Sequence, residues 1–453
     1  MRESYHNRML KKALVSVLLA GAPCAFGQNL PDLGASVGGP LSPQIERRIG
    51  ESIMREIRFR DPSFVDDPEV SDYLYVLGNR LVAASPGARG DFEFFAIRDP
   101  SINAFALPGG FVIVNTGLLL ASQSESELAS VLAHEIAHVT QRHIARSIQN
   151  AGRANLASAA AILAATGFDP VAMPDFFWTM QQRAGSAGKN IPDLLRSHPV
   201  TTERIAETRN RVKEHERPRH EDSTSYPLIR ARLAVQSLPP EADFRDLYGS
   251  ARSADLPSTE GELYGRALAL LRADAAGEAI PLLQDLLERR PDVTLYRTAL
   301  GQAQLEAGRI AASRTTLAEA MRLFPRNVPV TMRYAETLMR DADPKQAHIV
   351  LLDLFNNVPP TPEQARFTAL AANAAGDVAD AYYYMSEYHV ISGDLALAID
   401  QLRLASAVPG LNDVQRQRFD ARIRELQEYL PKGRRAKEIP GPTNPQPDAS
   451  RPR

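Results

Sequence analysis

Cysteine is nearly absent from the 453-residue chain: the single copy, Cys24, lies close to the N-terminus, so no disulfide framework holds the fold together. Neither sign of charge is in excess. Lys and Arg total 52 against 54 Asp and Glu, a formal net charge of -2, which removes the electrostatic footprint of a nucleic-acid-binding protein. The N-terminal apolar run from Ala13 to Ala22 is about half the roughly 20 residues that a spanning helix needs. Hydrophobic residues make up 44% and charged residues 23%, close to the globular average, which excludes global disorder and a multi-span membrane protein. The chain is long enough for two to four domains with at least one well-buried core.

Arg2, Arg8, Lys11 and Lys12 precede the apolar run against one acid, Glu3, and Ala25-Phe26-Gly27 follows as a small-residue cleavage site. Residues 1–27 therefore read as a secretory signal peptide, cleaved near Gly27. Cys24 follows Pro23 rather than a small residue, so it belongs to the leader and is not a lipid-attachment site. The mature chain then has no cysteine.

Apolar residues recur at helical spacing from Pro43 to about Ala84, which predicts two helices. The short aromatic and β-branched runs at 92–97 and 110–114, bounded by Gly, Pro and Asn, predict two strands. Ser124 with Glu127 forms a candidate capping box, and Leu128, Val131, Leu132, Ile136 and Val139 continue it as one helix past residue 144. Between about 215 and 258 the sequence turns polar and Pro-rich, which places a domain boundary there. Pro291, Pro325 and Pro359 then recur every 34 residues, each closing two amphipathic helical patterns, as in tetratricopeptide repeats. The expected architecture is mainly α. An α+β domain with a small sheet (28–235) leads through a linker (236–258) to an all-α tetratricopeptide-like solenoid of four or so helix pairs (259–430). A disordered tail (431–453), with six prolines and six Lys or Arg, follows.

His134-Glu135-Ile136-Ala137-His138 falls inside the strongest helical pattern. Positions i and i+4 share one helix face, so two imidazoles can converge on one Zn²⁺ with Glu135 beside them to take a proton from bound water. His143 lies nine positions after His134, half a turn out of phase, and faces away from the pair.

These residues carry a family resemblance. Asn103-Ala104-Phe105-Ala106-Leu107-Pro108-Gly109-Gly110, Asn115-Thr116-Gly117-Leu118-Leu119 and Glu127-Leu128-Ala129-Ser130-Val131-Leu132-Ala133, leading into the His-Glu pair, resemble the exported gluzincin metallopeptidases related to the CAAX prenyl proteases. In layout the chain is most similar to those periplasmic members that join such a domain to tetratricopeptide repeats. The resemblance implies a zinc endopeptidase of the bacterial periplasm, acting in quality control and assembly of outer-membrane β-barrel proteins. Its partners would be unfolded or stalled β-barrel proteins and the β-barrel assembly machinery, with no nucleic acid and a peripheral association with the outer membrane. His134 and His138 would be metal ligands, Glu135 the catalytic base, and the strand at 111–114 would align substrate backbone as an added strand. Ser197-His198-Pro199-Val200-Thr201-Thr202-Glu203-Arg204 also matches the family, where this His reaches the metal.

The sequence departs from the family at the third ligand, a Glu in a Glu-x-x-Ala-Asp pattern on a second helix. From Val139 to Thr202 there is no Glu at all. Catalytic zinc ordinarily has three protein ligands, and His198 is the expected substitute, with Asp169, Asp175 and Glu203 as alternative carboxylates. The missing Glu also motivates a second reading, a catalytically inactive relative that acts as a chaperone or adaptor through its repeats.

Overall fold

The computed structural model describes residues 42–86, 91–140, 151–187, 221–239 and 259–429, with isolated positions at 88 and 242. The expected signal peptide, the continuation of the helix past 140, most of the expected linker and the expected tail lie outside these residues. Among the described residues no helix is long and apolar enough to cross a membrane.

Two capped helices open the fold. In α1 (Pro43–Arg60) the Ser42 hydroxyl accepts from the Ile45 N–H, and in α2 (Pro68–Ala83) the Asp67 carboxylate accepts from the Val70 N–H, with a proline starting each helix where its missing donor costs nothing. A three-stranded sheet follows, in the order β1-β3-β2. Strand β1 (Glu93–Ile97) runs parallel to β3 (Phe111–Asn115), and β2 (Ala104–Leu107) runs antiparallel to it, with Phe105 opposite Ile113. The hairpin loop Pro108-Gly109-Gly110 passes directly beneath α1. A Cβ at Gly109, whose φ is +85°, would come 2.5 Å from Arg47 Cα, and one at Gly50 would come 2.0 Å from the Pro108 carbonyl oxygen. Only glycine permits that approach.

The order of strands corrects one expectation. The run at 111–114 is not a free edge but the central strand, paired on both sides. The outer edge of β1 is partly covered by Ser63 to Val65, where the Val65 N–H donates to the Ala96 carbonyl and the Arg98 N–H to the Ser63 carbonyl. Among the described residues the edge left without a strand partner is that of β2. Ala-Phe-Ala-Leu is too short, between Asn and Pro-Gly-Gly, to show a period, so the sequence does not reveal this third strand.

Beyond the sheet come α3 (Thr116–Ala121), α4 (Glu125–Thr140), α5 (Ala151–Thr166), α6 (Ala172–Ala187) and α7 (Ser225–Ser237). Ten repeat helices follow: α8 (Glu260–Arg272), α9 (Ala276–Arg289), α10 (Thr294–Glu306), α11 (Ile310–Leu323), α12 (Val328–Arg340), α13 (Pro344–Phe355), α14 (Pro362–Ala374), α15 (Val378–Ser392), α16 (Leu395–Ser406) and α17 (Asp413–Glu428). They form five successive pairs, one more than the periodicity suggested. The hydrophobic core continues without a break from Leu74, Val112 and Leu132 through Leu228 and Leu233 of α7 to Leu263, Tyr264 and Leu300 of the first repeats.

A buried ion cluster joins the same elements. The Arg232 guanidinium of α7 donates to Asp67 at 2.8 Å and to Glu69 at 3.0 Å, with all three side chains at most 9% exposed. Gln236 adds a bond to Asp67 at 2.6 Å, and Arg333 of α12 approaches Glu69 at 3.8 Å. Burial pushes the Asp67 carboxyl up, but Arg232, the Val70 N–H and Gln236 outweigh it and hold the group below its ordinary value. Removing one partner from such a cluster strands the opposite charge. We therefore expect Arg232→Ala to cost about 3–5 kcal/mol in urea unfolding; a loss below 1 kcal/mol would show that the acids find other partners.

The turn inside each helix pair has one recurrent residue in the left-handed region: Asp274 (φ 58°), Gly308 (73°), Ala342 (56°), Gly376 (86°) and Gly410 (81°), spaced 34 residues apart. At Ala342 the Cβ opposes that conformation, at a cost of about 1–2 kcal/mol that glycine avoids, offset partly by glycine's greater freedom when unfolded. Ala342→Gly should raise stability by about 0.5–1 kcal/mol and Gly308→Ala should lower it by about 1 kcal/mol. A Cβ at Gly308 meets nothing within 4 Å, so equal stabilities in thermal melts would disprove the conformational account.

Candidate metal centre

Helix α4 is buried on almost every side. Leu128, Ala129, Val131, Leu132, Ala133, Ile136 and Ala137 have no solvent exposure, and His134 and Glu135 are 4% and 2% exposed. A helix apolar all round belongs in a core, so polar side chains on it need a specific use. It packs against α2, α5, α6 and the sheet.

Its N-terminus is tied down from three directions. The Ser124 hydroxyl accepts from the Glu127 N–H at 3.2 Å, as the sequence predicts, but the Glu127 carboxylate reaches the Gln123 N–H at 2.7 Å instead of closing the box on Ser124. Asp222 accepts from the Glu125 N–H at 2.7 Å. The buried Glu125 carboxylate accepts from the Tyr73 hydroxyl at 3.0 Å, the Ser223 hydroxyl at 2.6 Å and the Ser223 N–H at 2.9 Å. Burial and the neighbouring Glu125 push the Tyr73 phenol well above its usual range. None of Tyr73, Glu125, Asp222 and Ser223 carries a motif, so sequence reasoning misses their role in fixing the helix.

One turn apart on α4, His134 and His138 meet as predicted. Their Nε2 atoms are 3.0 Å apart and their rings lie at 86°. Two nitrogens bound at 2.0–2.1 Å to one tetrahedral ion would lie about 3.3 Å apart, so the pair already has the spacing of two ligands. Glu135 is enclosed between this helix and β2. Burial pushes its carboxyl up to about 8, opposed by a hydrogen bond from the Ala106 N–H. Because Ala106 points that N–H at Glu135, it is not spent on β3, and Ala106 is a site contributor that the sequence alone does not single out.

The two described alternative carboxylates, Asp169 and Asp175, are not brought to the pair. Among the described residues, no third His, Cys, Asp or Glu joins His134 and His138 in a metal-sized cluster. The Asp169 N–H donates to the Ser126 hydroxyl, and its carboxylate accepts from the Val171 N–H. That places it at the opposite end of α4, two turns or about 12 Å from His134. Asp175 lies in the first turn of α6. His198, Glu203 and His143 lie outside the described residues.

A paired imidazole and a buried carboxylate on one helix are the working parts of a metallopeptidase, and comparison with known proteins agrees. Peptidase family M48 matches residues 71–176, the stretch from α2 through the sheet and α4 into α6. The chain is 31% identical over 464 aligned positions to a relative from Vibrio cholerae, covering 90% of this chain and 96% of the relative. It is 30% identical over 481 positions to the beta-barrel assembly-enhancing protease of Escherichia coli, covering 93% and 97%. The chain belongs to the family of beta-barrel assembly-enhancing proteases. In both alignments several dozen positions have no counterpart in this chain, so it is shorter than these relatives within the matched region. A tetratricopeptide repeat protein of known structure from Parabacteroides merdae overlays 65% of this chain and 99% of its own length, at 14% identity and a TM-score of 0.27.

The support of α4 can be tested away from the histidines. Tyr73→Phe should cost about 1–2 kcal/mol of stability, because it removes one hydrogen bond to a buried carboxylate. An unchanged urea midpoint would mean that Ser223 alone fixes Glu125.

Proposed function

We propose that the chain is a zinc-dependent endopeptidase of the bacterial periplasm, acting in quality control and assembly of outer-membrane β-barrel proteins. The observation that carries this reading is the 3.0 Å approach of the His134 and His138 Nε2 atoms on a buried helix that also carries the buried Glu135. His134, His138 and His198 would hold zinc, whose chemistry is to acidify a bound water and polarise the scissile carbonyl. Glu135 is the general base. Its raised affinity for a proton suits it to accept one near neutral pH and return it to the leaving amine. The Ala106 N–H keeps the carboxylate in place. The outer edge of β2, next to Glu135 and without a strand partner among the described residues, would pair an extended substrate through the backbone groups that Glu135 does not occupy. The peptidase part would span 28–235 and the repeat part 259–430, the latter presenting unfolded or stalled β-barrel proteins.

One observation favours a second reading: from Val139 to Thr202 the sequence has no Glu that could serve as the family's third ligand. On that reading the chain binds clients through its repeats without cutting them. Zinc content and cleavage of an unfolded β-barrel protein separate the two. We expect about one zinc per chain at this site, lost in His134→Ala and in His198→Ala. Glu135→Gln should keep the zinc and cleave about 10²–10⁴-fold more slowly. Cleavage by Glu135→Gln at the wild-type rate would defeat the peptidase reading, and a zinc-free, inactive wild type would favour the binding module.

A further inference from the structure

The geometry points to a second divalent-cation site, in the repeat part of the chain, held by His348 of α13 and by Asp377 and Asp380 at the start of α15. It shares no residue with the His134/His138 pair and does not depend on the peptidase reading. One ligand atom from each of the three side chains lies within 4.8 Å of the others. Asp377 caps α15, its Oδ1 accepting from the Asp380 N–H at 3.0 Å, which leaves its second oxygen for another partner. Asp380 is 3% exposed and His348 7%, whereas Asp377 is only half-buried and gives the cluster a side open to solvent.

The second observation is the state of the imidazole. His348 Nε2 is buried and makes no hydrogen bond, although it lies 3.4 Å from Asp380 Oδ2. Leaving a buried polar atom without a hydrogen bond costs about 1–3 kcal/mol. A separation of 3.4 Å is long for a charged hydrogen bond but is about the distance between two ligand atoms sharing one tetrahedral ion. Arg418 of α17 contacts the other oxygen, Asp380 Oδ1. The guanidinium therefore orients Asp380 so that Oδ2 faces His348, and it also offsets one negative charge, which makes the site weaker than the same donors without it.

One imidazole and two carboxylates suit a borderline or hard divalent ion such as Zn²⁺ or Mn²⁺ rather than a soft one. Bound there, the ion would tie α13 to α15 with α17 behind them. It would add metal-dependent stability to the C-terminal end of the solenoid, where each repeat is supported only by its neighbours.

The test uses the full chain carrying His134→Ala and His138→Ala, stripped with a chelator and titrated with zinc chloride. We expect about one zinc to bind per chain and to raise the unfolding temperature of the repeats. Both effects should disappear in His348→Gln and in Asp377→Asn. Asparagine still caps a helix, so Asp377→Asn decides the matter if His348→Gln fails to fold. No zinc bound, or zinc retained in Asp377→Asn, would overturn the site.

Discussion

Arg232 is the residue on which the arrangement of elements turns. It sits on α7, the helix between the peptidase elements and the repeats, and its guanidinium is shared by Asp67 and Glu69 at the start of α2. Asp67 also caps α2, so the same carboxylate begins a helix and receives the cross-link. Arg333 brings α12 to Glu69 from the repeat side. Buried charge of this kind contributes little net stability compared with an apolar packing of the same volume, but it tolerates only one arrangement of its partners. The continuous apolar core supplies cohesion across α7, and the ion cluster specifies which helix faces which.

That fixed frame matters because α4 bears the buried polar side chains of His134 and Glu135 where a core would otherwise be wholly apolar. Its N-terminal turn is held by residues from α2 and from the segment before α7, and its C-terminal half faces β2. The close spacing of His134 and His138 thus follows from helix geometry, while the burial of Glu135 follows from the packing of the sheet.

The parts of this structure legible in the sequence are those with a local cause. The helical period around Ile45 and Leu74, the capping residue Ser124, the His-Glu pair and the 34-residue proline spacing all act over a few turns of chain. The third strand was hidden because Ala104 to Leu107 is four residues long, and its consequence was a misplaced free edge: β3 has the stronger strand signal because it is buried on both faces. The partners of Glu125 were hidden for another reason. Tyr73 and Ser223 lie 52 and 98 residues from it, and no local pattern encodes a meeting at that distance. The resemblance supplied the repeat-bearing family, which residue chemistry alone could not.

The left-handed turn residue that recurs through all five helix pairs makes the solenoid modular. Any whole unit that supplies this turn can be spliced in without new loop chemistry. The peptidase elements reach the repeats through the core shared with the first of them, through Arg333 on α12, and through the edge-on contact of Phe59 with Tyr388 on α15. Growth or loss of units after α17 would therefore change the length of the solenoid while leaving every one of these contacts, and helix α4, where it is. Reach and chemistry can in this way be adjusted separately within a single chain.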